Sequence, residues 1–177
     1  MFDSTMNYDF RKHCRRFFAE HSIDAAQFDG RVTNMRMRYK LPVLYGQLNL
    51  LDSHDVSRFL SLCKNELSSM KLAVLFQMTF VGIPSVFYGD EKGIDGLLEE
   101  EYRHPMPWGE SGSELERFYQ DAIQLRNTWP ELRWGDYHTV YAQKGSGMYC
   151  YCRSSDKVKI FILLNNQPQA VDIPAEF

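Results

Sequence analysis

The chain has 177 residues, 44% of them hydrophobic and 14% aromatic, enough for one ordinary globular domain or one domain with a small annex. Its formal net charge is −3 and its 20 Lys and Arg are scattered, which excludes a basic face for nucleic acid. No apolar run approaches the roughly 18 residues of a membrane span, so no membrane partner is expected.

Residues 1–10 lack the basic region and the long apolar core of a signal peptide, and the expected location is cytoplasmic. Cys14, Cys63, Cys150 and Cys152 fit no zinc spacing. Cys150 and Cys152 share one face of a strand, a poor geometry for a mutual disulfide, so free thiols are expected.

Taken in order, residues 2–8 read as a short strand feeding a helix over 9–20. In that helix Phe10, Cys14, Phe17 and Phe18 mark one side at helical spacing, and the basic run 10–16 is its solvated face. A loop-rich passage containing Pro42 leads to a strand over 47–52. The run 65–81 has helical length, with Leu67, Met70, Val74 and Met78 as a buried stripe, and Gly82 stops it. Residues 84–89 form a compact apolar strand with Pro84 at its first position. A further helix begins at Ser113, where Glu116 completes a capping box and Leu115, Phe118, Tyr119 and Ala122 share a face. Near residue 134 the period changes to two, and 137–142, 147–152, 157–166 and 169–174 are four candidate strands. An α/β portion over 1–134 is therefore expected, followed by the start of an all-β domain over 135–177. By periodicity alone the first portion is a small open parallel sheet or a piece of a closed barrel. Both architectures bind ligands at the carboxyl ends of their strands.

Ser53, His54 and Asp55 stand at such an end. One reading makes Ser53 or Asp55 the cap of the helical turn suggested by residues 56–60, with Arg58 paired to Asp55. The other makes the adjacent imidazole and carboxylate a donor and an acceptor for sugar hydroxyls. Asp90 and Glu91 close the strand 84–88. With neighbouring strands about 4.8 Å apart, Asp55 and Glu91 could approach the roughly 5–5.5 Å separation of the two carboxyls in a retaining glycosidase. The favoured alternative is a salt bridge from Asp90 or Glu91 to Arg58 or Arg103. Tyr88, Tyr102 and Trp108 lie near the same rim, suited to stacking on sugar rings or to packing.

Residues 49–60, NLLDSHDVSRFL, resemble the last of the four conserved stretches of the α-amylase superfamily, glycoside hydrolase family thirteen. They look most like its neopullulanase, cyclomaltodextrinase and maltogenic-amylase branch. Residues 2–18 are similar to the family's sixth strand and helix, 80–96 to its eighth strand, and 99–108 to the Arg-x-Pro-Met-x-Trp passage after it. Residues 125–140 look like the eighth helix running into the C-terminal β domain. The matches are collinear and cover nearly the whole chain.

The resemblance implies an α/β fold: the last three strands (sixth to eighth) and helices of a (β/α)8 barrel, then part of an antiparallel β-sandwich domain. It implies a parent enzyme that hydrolyses or transfers α-1,4- or α-1,6-linked glucans or cyclodextrins with retention, its substrate an α-glucan oligosaccharide. Asp55 then matches the third essential carboxylate, the transition-state stabiliser, and His54 its substrate-binding neighbour. Arg58, Tyr88, Asp90, Glu91 and Arg103 become rim or structural residues, and the Asp55–Glu91 pair is given up as nucleophile and acid. The family's nucleophile Asp and acid Glu have no counterpart here, so the chain alone is expected to be inactive. Three strands cut from a barrel leave two open edges, so it is also expected to self-associate or to need the missing N-terminal half. No cofactor or metal is expected. Calcium is common in the superfamily, but no cluster of oxygen ligands is readable. Val56 and Ser57 depart from the Thr and Pro usual there, which leaves the subfamily open. The alternative is a non-catalytic carbohydrate-binding or protein-interaction module of amylase-like architecture. Against it stands the His54–Asp55 pair, a hydroxyl clamp that a pure scaffold does not need.

Overall fold

The structure, a computed structural model, describes residues 4–109 and 111–172. Strands Met6–Asn7 (β1), Leu48–Leu50 (β2) and Ile83–Ser85 (β3) form a parallel sheet in the order β1-β2-β3. Helices Tyr8–Cys14 (α1), Ala25–Met37 (α2) and Leu41–Gly46 (α3) carry the chain from β1 to β2. Phe59–Leu62 (α4) and Leu67–Thr79 (α5) carry it from β2 to β3. Parallel neighbours need such crossovers, because a tight turn cannot return the chain to the same end of the sheet.

Alternation along the strands decides what lies on each face. Asn7, Asn49 and Pro84 are in register and face the helices. There Asn7 Nδ2 donates to Gln47 Oε1 and to Asn49 Oδ1, both at 2.9 Å, and Asn7 Oδ1 accepts from Phe10 N at 3.1 Å to start α1. Gln77 of α5 donates to the carbonyls of Asn49 (2.9 Å) and Ser85 (3.0 Å), clasping the helix to two strands. Met6, Leu48 and Ile83 share the opposite face, with Met6 38% and Ile83 45% exposed.

Several expectations need correction in this half: Leu67 of the expected stripe is exposed, and Pro84 is the middle rather than the first residue of β3. The passage before residue 47 is not loop-rich: α2 spans thirteen residues with a complete Asp24–Gln27 capping box, and Pro42 sits in the first turn of α3, where its missing N–H leaves no bond unmade. The basic run 10–16 is not a wholly solvated face either. Phe10, Cys14, Phe17 and Phe18 are buried as spaced, but so are Arg11 and His13, and burial pushes the His13 imidazole down to about 4. A single π-helical turn, Arg15–Ala19, follows α1.

Further along lie Glu99–Tyr102 (α6), Glu114–Thr128 (α7) and Glu131–Trp134 (α8). At the start of α7 Ser113 Oγ accepts from Glu116 N at 3.0 Å, but Glu116 takes its backbone N–H from Gly112 and binds Lys92, so the expected box is only half formed. Strands Asp136–Ala142 (β4), Met148–Ser154 (β5) and Lys159–Asn165 (β6) make an antiparallel sheet in the order β4-β5-β6. Of the fourth candidate strand, residues 169–172 are not extended into a ladder, and 173–174 lie outside the described residues. Among the described residues this sheet is a single layer, packed on helices rather than on a second sheet. Its inner face is aromatic: Tyr137 meets Phe80 at 5.4 Å between ring centroids, Tyr149 meets Phe28 at 5.2 Å, and Tyr151 meets Phe76 at 5.7 Å. These edge-on contacts suit ring quadrupoles and join the antiparallel sheet to α2 and α5 in one core.

Candidate active site

The chain leaves β2 through buried Leu51 and Asp52, then turns. Ser53 is the pivot. Its Oγ accepts from Asp55 N at 3.2 Å and bonds the Tyr8 hydroxyl at 3.0 Å, tying this turn to the end of β1. The turn throws His54 and Asp55 outward, with side chains 72% and 58% exposed and His54 Nε2 at 3.2 Å from Asp55 Oδ1. Asp55 borders a cavity of about 420 Å³ together with Arg11, Arg15, Ser57, Leu98 and Tyr102. The predicted pair is therefore open to a ligand at the carboxyl end of the middle strand.

Beneath this turn lies a buried polar layer. Asp52 Oδ2 accepts from Phe59 N at 2.8 Å, so Asp52, not Ser53 or Asp55, supports the start of α4. Arg58, fully buried, pairs with Asp90 at 2.9 Å rather than with Asp55. It also donates from Nε to Tyr102 O (2.9 Å) and from Nη1 to Tyr88 O (2.8 Å). Arg11 reaches in from α1, donating to Leu51 O at 2.7 Å and Ser57 O at 2.8 Å. Arg103 pairs with Glu99 at 2.8 Å and donates to His54 O at 3.0 Å, holding the backbone of the exposed pair from the far side. Burial pushes the carboxyls of both Asp52 and Asp90 up, Arg58 opposing it, and raises the Tyr119 hydroxyl nearby. Burial, then the charge of Asp52, pushes the Cys63 thiol up to about 12.

Of the predicted rim residues, Asp90 joins the buried layer and Glu91 is half-buried beside it. Tyr88 is half-exposed and donates from its hydroxyl to His104 O at 2.8 Å. Tyr102 is buried at the wall of the cavity beside Asp55, whereas Trp108 stands open to solvent. Sequence reasoning missed Asp52. Its signal was a carboxylate directly ending an apolar strand, where a turn residue is the ordinary assumption. Among the described residues no three His, Cys, Asp or Glu side chains come together.

Residues 1–122 match the alpha-amylase catalytic-domain family. The chain belongs to the α-amylase family. Neopullulanase 2 of Thermoactinomyces vulgaris is 40% identical over 168 residues, which is 94% of this chain and 29% of that protein. A cyclomaltodextrinase of Thermoanaerobacter pseudethanolicus is 38% identical over 167 residues, 93% of this chain and 29% of the relative. A solved cyclomaltodextrinase superposes with a TM-score of 0.89 at 36% identity, over 93% of this chain and 29% of that one. This α-amylase-family chain thus spans about three-tenths of the length of those relatives.

Proposed function

We propose that these residues belong to a retaining α-glucan hydrolase or transglycosylase, acting on α-1,4- or α-1,6-linked oligosaccharides or cyclodextrins. The observation that carries this is the exposed His54–Asp55 pair at the carboxyl end of β2, in a chain of the α-amylase family. In this reading β1, β2 and β3 are the sixth, seventh and eighth strands of a (β/α)8 barrel filling residues 1–134, and 135–177 begin a β domain.

Asp55 accepts hydrogen bonds from two adjacent hydroxyls of the sugar undergoing cleavage. As the ring flattens and its anomeric carbon turns cationic, that carboxylate gains attraction the ground state lacks, and this difference raises the rate. His54 donates to a neighbouring hydroxyl and fixes the ring against the carboxylate. The Ser53 turn and the Arg103 grip on His54 O keep both side chains in place without touching sugar. The nucleophile and the acid come from carboxylates outside these 177 residues, so the chain alone is a partial site.

Two measurements test this. The isolated chain should release no reducing sugar from maltotriose, cyclodextrin or pullulan. In a protein that carries the whole barrel, Asp55→Asn should lower kcat by about 10²–10³-fold with a smaller change in KM. Sustained turnover by the isolated chain, or full activity of that variant, overturns the reading.

A further inference from the structure

A polar groove runs between the first half of the chain and the far end of the antiparallel sheet. One stretch, of about 270 Å³, lies between residues 21–27 and the turn 145–147. The next, of about 510 Å³, lies between the start of α5 and residues 165–168. His21, Asn166 and Gln167 line both stretches and join them. None of the groove's residues borders the cavity beside Asp55.

Asn166 forms the floor. It is only 8% exposed, its Nδ2 donates to Phe17 O, and the same nitrogen lies 3.2 Å from His21 Nδ1. Its Oδ1 has no partner, although a buried carbonyl oxygen ordinarily has a donor, so the floor offers an acceptor to an incoming O–H. The groups around it are mostly neutral: the amides of Gln27 and Gln167, the hydroxyl of Ser146 and the imidazole of His21. Asp24 is already engaged, its two oxygens accepting from Gln27 N at 2.8 Å and from Gly145 N at 2.9 Å. At Gly147 a Cβ would come within 2.7 Å of Gln167 Cγ and 3.0 Å of Asn166 O, so glycine lets Gln167 lie across this turn. Neither Lys nor Arg lines either stretch, which leaves an anionic ligand without a counter-charge. Ile23, Leu72 and Pro168 are too little surface for an apolar one.

We propose that this groove holds a neutral oligosaccharide, a segment of α-glucan chain, through the amides of Gln27, Asn166 and Gln167 and the imidazole of His21. An amide sets a donor beside an acceptor, and sugar hydroxyls, which both donate and accept, match that pair. Two joined stretches suit a linear chain of several rings better than a single ring. No Phe, Tyr or Trp lines the groove for stacking, so hydrogen bonds carry the affinity and it falls in the millimolar range. The choice of an α-glucan rests on the glycosidase reading; the preference for a neutral sugar does not.

The test titrates maltotetraose into the 177-residue chain labelled with 15N-glycine. The amide signals of Gly145 and Gly147 should shift and saturate at millimolar sugar, while Gly96, next to Leu97 of the Asp55 cavity, reports on that other site. Gln167→Ala and His21→Gly should each weaken the Gly145 and Gly147 response at least tenfold with unchanged circular dichroism. Both variants should fold: the Gln167 hydrogen bond comes from its backbone N–H, to Asn165 Oδ1, and His21 sits at φ +48°, where glycine is at ease. Shifts confined to Gly96 overturn the groove and leave the glycosidase reading intact. An equal response to trigalacturonate overturns the neutral-ligand assignment, and an equal response to cellotetraose overturns the choice of α-glucan. Silent Gly145 and Gly147 signals, or full binding by both variants, overturn the proposal outright. No readout involves sugar cleavage, so this proposal and the glycosidase reading fail separately.

Discussion

Arg58 has no exposed surface, yet it carries a full charge beneath a site that opens to water. Its guanidinium lies 4.4 Å from the Phe87 ring centroid and 4.8 Å from that of Tyr88, and bonds two carbonyls and Asp90. Taking both charges out of water cancels most of what their attraction gains, so the pair is a weak source of net stability. Removing one partner is another matter, because the other is left buried and alone. Arg58→Met should therefore lower the unfolding free energy by about 3–5 kcal/mol, read from the urea midpoint at pH 7. The sequence named Arg58 and Asp90 as candidate partners but weighed Asp55 beside them, since three residues of separation make that contact easy. What separates the choices is burial, which no spacing along the chain reports. Asp52 escaped notice for the same reason: it becomes informative only once it is seen to be buried beneath the turn, accepting from Phe59 N.

At the scale of elements, the end of α5 shows how the helices and the antiparallel sheet are joined. The last carbonyls of a helix have no partners within it and carry partial negative charge. Arg126 of α7 donates to Met78 O at 2.7 Å, Phe80 O at 3.1 Å, Leu132 O at 2.9 Å and Gly82 O at 2.5 Å. Arg153 of β5 donates to Thr79 O at 2.6 Å, Leu132 O at 2.9 Å and Gly135 O at 2.9 Å. Two guanidiniums share Leu132 O, and burial with the nearby Arg153 charge pushes Arg126 down to about 10. Arg126→Met should cost about 3 kcal/mol or more by leaving several buried carbonyls unpaired. Arg126→Lys should restore only part of that, since an ammonium has no planar fork; thermal melts of both variants check the order. Helix α7 and strand β6 alternate in burial with their expected periods, whereas α5 and β5, buried on more than one side, were legible as apolar runs of the right length. Helix α2 was not, although Ala25, Phe28, Val32 and Met35 keep helical spacing, because Gly30, Thr33 and Asn34 weaken the propensity around them. The parallel strands came out shorter than their apolar runs because a ladder extends only as far as the neighbouring strand, which one segment of sequence does not reveal.

For the whole molecule, the parallel sheet raises a question of cover. Met6, Leu48 and Ile83 cross it in one row on the face away from the helices, and among the described residues β1 and β3 each pair on one side only. In a closed barrel such a row is one layer of the packed interior. Here it meets solvent, beside two edges whose free N–H and C=O groups can template further strands. Phe161 and Leu163 of β6 add a second exposed apolar patch, on the outward face of the antiparallel sheet. A net charge of −3 is small opposition to association. The chain on its own should therefore self-associate at micromolar concentration, with sedimentation velocity showing a weight that rises as the chain is concentrated. Ile83→Lys places a charge at the β3 end of the row, on an open edge, without touching the helix-facing core, and it should weaken association at least tenfold while leaving circular dichroism unchanged. Equal weakening by Phe161→Lys, with Ile83→Lys silent, would locate the sticky surface on the antiparallel sheet instead. A single monomeric species across the whole concentration range would mean that the open sheet needs no cover at all.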